Sequence, residues 1–409
     1  MRTRTPAGFA TIWTAVALDL VGFGIVLPIL PLYAERFDAS PLQIGLLVAS
    51  FSFAQFVCSP FLGRLSDRVG RKPVLVFSLV GTAVGSLLTG IAPSLVVLFA
   101  GRIVDGVSGA SVSVAQAAVT DLAPADQRAR LLGLLGAAFG LGFVAGPAIG
   151  GLAALGGPEL PFFLAAAIAG VNAVVALFRL PETHPRESRG TPEDVLGGSV
   201  RTDAGLIHPE RVGRGDLRAL VLVAFTSLVA FSAFEATFAL FGERRLGLGL
   251  ASAGLVFAAI GVVLTAVNAS AVGPAVRRFG EVGTLRIGLA ANVGGLLLLP
   301  SVRSWLALVP AVALLTVGQG LVAPSLAAAV AARGGEHRRG ASLGLQQSAG
   351  GLARVVGPAA GGAAFGHLGA GVPYVAGAVL VAIALALTAG ISEAREPLAA
   401  RATPEPARR

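Results

Sequence analysis

The chain has 409 residues, of which 55% are hydrophobic and only 13% are charged, and its mean hydropathy is +0.80. These values exclude a water-soluble domain, because one buried core cannot take up so large an apolar fraction. The net charge of +9 does not indicate nucleic-acid binding, since most Lys and Arg residues fall in loops on one side of the apolar runs. The lone cysteine, Cys58, excludes an intrachain disulfide.

Long apolar runs follow one another along the whole chain. A membrane-spanning helix needs about 20 mostly apolar residues, whereas the strands of a membrane barrel alternate apolar and polar residues over about ten positions. The runs lack that alternation, so they predict an all-α polytopic membrane protein with twelve transmembrane helices. The predicted spans are 9–30, 42–62, 73–92, 94–119, 131–153, 160–180, 218–241, 251–272, 284–302, 305–331, 341–364 and 372–391.

The distribution of positive charge predicts the orientation of these spans. With both termini in the cytoplasm, the loops rich in Lys and Arg fall on the cytoplasmic side, as the positive-inside rule requires. The first span is too long for a signal peptide and is not followed by a small-residue cleavage site. We therefore expect a multi-pass protein of the cell (plasma or inner) membrane, in contact with the lipid bilayer.

One long polar stretch divides the spans into six and six. It covers 181–217 and mixes Arg, Asp, Glu, Gly and Pro with few aromatic residues, a composition typical of a flexible linker. The predicted units are therefore an N-terminal six-helix bundle (1–180), this cytoplasmic linker, a C-terminal six-helix bundle (218–392) and a disordered cytoplasmic tail (393–409).

Two short motifs occur once in each half. The charged segment 63–72 returns in thinner form at 273–280, and Gly-Pro-Ala-Ile-Gly-Gly at 146–151 returns as Gly-Pro-Ala-Ala-Gly-Gly at 357–362. Parallel repeats of this kind predict two pseudo-symmetric six-helix bundles around a central cavity near the bilayer midplane.

Segment 63–72 resembles the major facilitator superfamily, and more narrowly its twelve-helix drug–proton antiporter branch, which includes tetracycline-type efflux pumps. It matches the family pattern G-x-L-x-D-R-x-G-R-K/R between spans two and three. The resemblance implies that Asp67 caps span eleven and pairs with nearby arginines and Asp121, which holds the outward-facing state together. Charges that only enforce topology are the alternative, but this explains neither Asp67 nor the glycines, which also allow a tight turn. The implied conformational gate consists of Gly63, Asp67, Arg68, Gly70, Arg71, Lys72 and Asp121.

Arg102 and Asp105 in span four resemble the family pattern R-x-x-Q-G-x-G-A, with Asp105 where glutamine is common. An arginine inside a bilayer is costly unless it has a partner or water, and Asp105 lies on the same helical face. Asp19, near the middle of span one, is another candidate partner and resembles the cavity-facing aspartate of tetracycline-type pumps. We predict that Asp19, Arg102 and Asp105 carry proton coupling, with the exchanging carboxylate left open. A purely structural ion pair is the alternative.

Span five contains a glycine at every fourth position, which forms a smooth stripe for close helix packing, and a proline that permits a kink. It resembles the antiporter-associated pattern G-x-x-x-G-P-x-x-G-G, which in relatives accompanies exporters more than importers. Packing alone is the alternative, and recurrence of the motif in span eleven weakens any unique role. The motif residues are Gly142, Gly146, Pro147, Gly150 and Gly151.

Several polar residues inside the later spans are candidate substrate-binding groups. Glu235 in span seven can bind a cationic compound or a second proton, or it can pair with Arg244 or Arg245 near the outer mouth. Arg354 in span eleven can meet Glu235 or an anionic substrate. Uncharged candidates, which can equally be interhelical contacts, include Gln319 and Gln346.

The function that these features favour is secondary active transport, as proton-coupled export of small hydrophobic or amphipathic compounds by alternating access. The proton gradient replaces any cofactor. A proton-coupled carrier of a sugar, amino acid or organic anion is the main alternative. A binding or signalling protein with a carrier fold is a weaker one, as is a membrane enzyme, since no nucleophile–base pair or metal-ligand spacing lies at a common depth. The expected partners are lipid, protons and a small-molecule substrate, without nucleic acid, and the expected state is a monomer.

Overall fold

The structure, a computed structural model, describes residues 6–124, 127–184, 214–333 and 339–391, and in these ranges it contains helices but no strands. The predicted tail lies outside the described residues, as does most of the predicted linker.

The first half begins with α1 (Phe9–Val26), which is followed by the short helix α2 (Leu30–Glu35). The remaining helices of this half are α3 (Pro41–Val69), α4 (Arg71–Gly90), α5 (Leu95–Ser108), α6 (Ser111–Leu122), α7 (Arg128–Ala153) and α8 (Leu160–Arg179). The helices of the second half are α9 (Arg214–Leu246), α10 (Leu250–Ser270), α11 (Val272–Leu298), α12 (Trp305–Arg333), α13 (Arg339–His367) and α14 (Val372–Leu387). Short 3₁₀ turns at Ala154–Gly156 and Leu299–Ser301 follow α7 and α11.

Twelve helical passes result when α5 and α6 are counted as one. Ten segments of the described chain are long and apolar enough to cross a membrane. The other two passes are α13, with 29 residues, and α14, a shorter apolar helix of 16 residues. The predicted all-α fold of two six-helix bundles is confirmed.

Several predicted boundaries are wrong in informative ways. Span two does not end at residue 62, because α3 continues to Val69 and includes Gly63. Span four is interrupted at Gly109 and Ala110, between α5 and α6. In the second half, α11 is bent at Gly280, so its long segment after the bend begins close to residue 284, the predicted start of span nine. The charged segment is therefore mostly helical, and only its last glycine makes a turn.

The two halves repeat the same backbone irregularity. Gly70, which joins α3 to α4, has φ 108° and ψ 160°, and Gly280, inside α11, has φ 73° and ψ 178°. Side chains other than glycine avoid this region of backbone space. Gly70 and Gly280 occupy equivalent positions in the repeated segments 63–72 and 273–280, so each half of the molecule contains the same bend.

Gly70→Ala should lower the stability of the protein by about 1–3 kcal/mol, because alanine is strained at this φ and ψ. Gly63→Ala is the matched control: Gly63 is helical, and a Cβ added there would meet nothing within 4 Å. Thermal unfolding of both variants in detergent tests the prediction. Equal melting temperatures would contradict it.

The halves contact each other through α3 with α13 and through α7 with α10. We call the end that carries residues 181–184 the linker end and the opposite end, where α3 begins, the far end. Pro41 and Gly45 of α3 touch Gly362 and Pro358 of α13 near the far end.

At the linker end the helix faces are open. Asp67, near the end of α3, has 58% of its side chain exposed. A Cβ added at Gly133 or Gly136 of α7, or at Gly344 of α13, would meet nothing within 4 Å. Among the described residues, the halves are therefore in contact at the far end and have exposed, uncovered helix faces at the linker end.

Candidate functional site

Asp19 lies where the fourth pass is broken. The Ser111 hydroxyl, at the start of α6, donates a 2.5 Å hydrogen bond to Oδ2 of Asp19. The break is held open by Gln55 of α3, whose Nε2 donates to the carbonyl oxygen of Gly109 at 2.6 Å. Oδ1 of Asp19 is buried and has no hydrogen-bond partner among the described residues. One carboxylate oxygen is therefore anchored, and the other is available to a proton.

Arg102 and Asp105 form the ion pair that their spacing predicts. Nη1 of Arg102 lies 2.8 Å from Oδ2 of Asp105, and the two residues are 5% and 6% exposed. The Arg102 guanidinium lies over the Phe51 ring, 4.5 Å from its centroid. Asp19 is not the contact partner of Arg102, although the charge of Asp105 acts on Asp19. The three groups predicted for proton coupling thus share one region of the first half.

The charged segment after α3 is organised around Arg71. Its side chain is almost completely buried, and it lies 2.6 Å from Asp67 and 3.0 Å from Asp121 at the end of α6. It also donates to Ser66 Oγ at 2.7 Å, while its backbone N–H donates to Glu182 at 2.9 Å. Arg71 therefore ties α3, α4, α6 and the start of the linker together at one end of the first half.

Asp67 pairs within its own half in this structure. The resemblance implied that it caps span eleven in the outward-facing state, but here it is mostly exposed, and the chain just before α13 lies outside the described residues. Arg68 is exposed and Lys72 is half-buried at the same end. The gate residues are thus assembled on the first half, with the linker ends of the halves apart.

The glycines of α7 serve two different faces. Gly142, Gly146 and Gly150 pack against α1: a Cβ at Gly146 would lie 2.6 Å from Cα of Gly24. Gly151 instead faces the second half, and a Cβ there would lie 2.8 Å from the carbonyl oxygen of Ala251. Despite Pro147, α7 is continuous. One stripe therefore holds α7 to its own half, and the other lets α10 approach.

The second copy of the motif in α13 repeats this division. A Cβ at Gly357 would lie 2.1 Å from Ser232 Oγ of α9, in the same half. A Cβ at Gly362 would lie 2.3 Å from the carbonyl oxygen of Pro41 of α3, in the first half. In each copy of the Gly-Pro-x-x-Gly-Gly sequence, the first glycine thus packs within its own half and the last glycine contacts the opposite half.

The candidate substrate-binding residues occupy different positions. Gln319 of α12 accepts a 3.3 Å hydrogen bond from Asn292 of α11, so it is an interhelical contact. Gln346 is half-buried, with Oε1 unpartnered among the described groups. Arg244 does not pair with Glu235, and the charge that acts on Glu235 is Arg354.

Sequence reasoning missed an ion pair between the halves at the far end. Arg244 of α9 lies 3.9 Å from Glu35 of α2 and over the ring of Phe365 of α13. Burial and the nearby Glu243 carboxylate raise the pKa of Glu35, although Arg244 lowers it. Both charges lie in loops or at helix ends that sequence periodicity does not pair.

The pH dependence of stability should change sign between two carboxylates at this end. The raised pKa of Glu35 means that its contribution to stability is greatest below the ordinary pKa and is lost as pH rises through the raised pKa. Glu35→Gln should remove that loss. The pKa of Glu159 is lowered by its bond from Arg36, so Glu159→Gln should instead remove stability that is present at neutral pH and lost on acidification. Melting temperatures from acidic to neutral pH test both signs, and parallel profiles would contradict them.

Two repeated six-helix bundles of membrane-spanning length, with charges buried inside a span, are the architecture of a membrane transporter. The Major Facilitator Superfamily matches at residues 12–301 and 266–409. Tetracycline resistance protein class C of Escherichia coli is 35% identical over 349 residues, which cover 84% of this chain and 86% of that protein. Multidrug resistance protein 1 of Bacillus subtilis is 28% identical over 376 residues, 92% of this chain and 94% of that protein.

Solved structures agree with these matches. The human organic anion transporter MFSD10 has a TM-score of 0.68 and 26% identity, over 94% of this chain and 100% of that chain. A bacterial homologue of the lysosomal transporter Spinster in an inward-facing conformation has a TM-score of 0.73 at 16% identity, over 93% and 95% of the two chains. The chain belongs to the major facilitator superfamily, and it is a multi-pass transporter of the cell membrane rather than an enzyme.

Proposed function

We propose that the protein exports small hydrophobic or amphipathic compounds in exchange for protons, by alternating access between its two halves. The proton gradient is the energy source, no cofactor takes part, no nucleic acid binds and the working unit is a monomer with cytoplasmic termini. The tetracycline and multidrug resistance proteins named above, at 35% and 28% identity, support export of such compounds, because removing a compound from the cell is one way to resist it.

The observation that carries the proposal is the environment of Asp19. A half-buried carboxylate with one oxygen bonded to Ser111 and the other unpartnered can gain and lose a proton without breaking an ion pair. Asp105, in contrast, is engaged by Arg102. Removing the negative charge of Asp105 would leave a buried arginine unpaired, which is strongly unfavourable. Asp19 is therefore the exchanging group and the Arg102–Asp105 pair its fixed electrostatic environment.

Everted membrane vesicles test this function directly. Addition of tetracycline or ethidium to energised vesicles should release protons from the lumen and accumulate the compound inside. Collapse of the proton gradient with a protonophore should abolish accumulation. Continued accumulation after collapse would reject proton coupling.

We also propose that the Asp67–Arg71–Asp121 cluster closes the linker end when the halves approach. Asp67→Asn should slow transport several-fold yet change stability by less than about 1 kcal/mol, because exposed ion pairs contribute little and Asp67 is 58% exposed. Vesicle flux and thermal unfolding measure the two effects. Normal flux in correctly inserted protein would exclude the gate role. Asp38→Asn, in the loop at the far end, is the matched control.

Transport of organic anions is a second candidate function. Arg354 is exposed within a helical span, and the similar human protein MFSD10 is an organic anion transporter. Competition between labelled tetracycline and an organic anion such as fluorescein in the vesicle experiment separates the two candidates.

A further inference from the structure

Glu235 points from α9 toward the space between the halves. One face of α9 contacts α13 through Ser232, whose hydroxyl donates to the Ala353 carbonyl oxygen, and another contacts α10, where Phe238 meets Phe257. Successive helical residues are separated by about 100°, which places Glu235 midway between these faces. Thr237, on the opposite side, contacts Tyr374 of α14. The helices α10 and α13 make the main contacts with the first half, and α9 itself also touches α2 and α3. Glu235 therefore lies on the side of α9 that faces the first half.

Arg354 points into the same space from α13. Gly351 packs on Phe56 of α3, in the first half, and Gly357 packs on Ser232 of α9. With residues about 100° apart, Arg354 lies between these two faces. Arg354 is exposed inside its helix, and its charge acts on Glu235. Both side chains therefore lie near each other on the side of the second half that faces the first half.

Glu235 and Arg354 lack the close ion pair that joins the charged residues Arg102 and Asp105 of the first half. Among the described residues, neither forms a hydrogen bond or an ion pair within 4.0 Å, whereas Arg102 and Asp105 are 2.8 Å apart and nearly fully buried. Charged groups inside a membrane are costly unless they serve a partner or a ligand. Two opposite charges on the same side of the second half, too far apart to pair directly, therefore suit a ligand that bridges them.

We propose that Glu235 and Arg354 form a substrate subsite for zwitterionic aromatic compounds, which deepens the proposed function and rests on it. The cationic group of the compound lies at the Glu235 carboxylate. Its acidic group accepts bonds from the Arg354 guanidinium, whose planar fork suits a carboxylate. Phe231, one turn before Glu235 and half-buried on the same face, supplies an aromatic surface for the ring system. The first half thus handles the proton, and the second half recognises the charge pattern of the cargo.

Three dyes with one xanthene scaffold test the subsite in purified protein without any gradient. Rhodamine B is a zwitterion in water, its ethyl ester is a cation, and fluorescein is an anion. Fluorescence anisotropy should show that wild-type protein binds rhodamine B about tenfold or more tighter than the ester, as expected for a charged hydrogen bond gained at Arg354. Equal affinities, or no binding of rhodamine B, would overturn the proposal.

Substitutions assign the two charges separately. Arg354→Gln should weaken rhodamine B binding about tenfold without weakening binding of the ester. Glu235→Gln should weaken binding of both rhodamine B and its ester, because both carry the cationic group. Arg354→Lys keeps the positive charge and should still bind rhodamine B more tightly than the ester. This variant controls for a folding defect. Glu243→Gln and Arg245→Gln, at exposed positions on the far-end turns of α9, should behave as wild type. A double variant Glu235→Gln/Arg354→Gln with wild-type dye affinities would mean that the charges serve only each other.

Failure of the subsite and failure of proton-coupled export give different results. If the dyes bind equally well but vesicles still release protons, the subsite proposal is rejected and the export proposal stands. If the protein distinguishes the dyes but does not accumulate substrate in response to a proton gradient, proton coupling is rejected and the subsite proposal stands.

Discussion

Asp19→Asn is expected to abolish uphill export while the protein still binds and exchanges its substrate. Each proton that moves down about 100 mV supplies about 2.3 kcal/mol, which sustains about a fifty-fold concentration ratio. Asparagine keeps the size of the side chain and can still accept the Ser111 bond, but it cannot take up a proton. The accumulation ratio in energised everted vesicles should therefore fall from that range to about one, whereas substrate counterflow without a gradient should persist.

Two other substitutions separate proton exchange from structure. Asp19→Glu keeps the titrating group but moves it by one methylene from Ser111, so partial accumulation should remain. Asp105→Asn should instead unfold more easily, by about 3–5 kcal/mol, because it leaves the buried Arg102 without its partner. If the Asp19→Asn variant accumulated substrate to the wild-type level in a proton gradient, Asp19 would not be the residue that exchanges the proton.

The fold could be predicted from the sequence because the membrane restricts the choices. Every backbone polar group inside lipid must be bonded, so long apolar runs can only be helices. The ion pair between Arg102 and Asp105 could also be predicted from their spacing, since residues three apart share a helical face. The repeat of Gly70 at Gly280 correctly located a backbone bend in both halves.

Other features could not be predicted because they depend on contacts between distant segments. The interruption at Gly109 is stabilised by Gln55, 54 positions away, and nothing in the run 94–119 indicates it. The Glu35–Arg244 pair joins different halves. The glycine motif predicted close helix packing, but only the structure shows that Gly146 faces α1 of the same half and Gly151 faces α10 of the other half.

This division assigns different consequences to neighbouring glycines. Gly146 and Gly357 hold helices together within one half, so a side chain there should disturb folding in every state of the transporter. Gly151 and Gly362 touch the opposite half, so a side chain there should disturb only the state in which the far end is closed. Substitutions on the second stripe therefore alter the balance between states rather than the fold.

Gly362→Ala should shift the protein toward the state with an open far end. A Cβ at Gly362 would lie 2.3 Å from the carbonyl oxygen of Pro41 and 3.0 Å from Cα of Gly45, so the backbones of α3 and α13 must separate. Overpacking of this kind costs about 1–3 kcal/mol, which changes the ratio of the two states about five- to 150-fold. Because the halves rock about one central region in the proposed mechanism, the linker end should close as the far end opens.

Gly366→Ala, one turn further along α13, is the matched control. Gly366 also faces Pro41, but a Cβ there would lie 3.5 Å away, at an ordinary contact distance. Spin labels at positions 64 and 277, both exposed at the linker end, report the separation of the halves in a Cys58→Ser background. Gly362→Ala should shorten the distance between the labels, whereas Gly366→Ala should leave it unchanged. If both variants gave the wild-type distance distribution, the contact between α3 and α13 would not control which end of the protein is open.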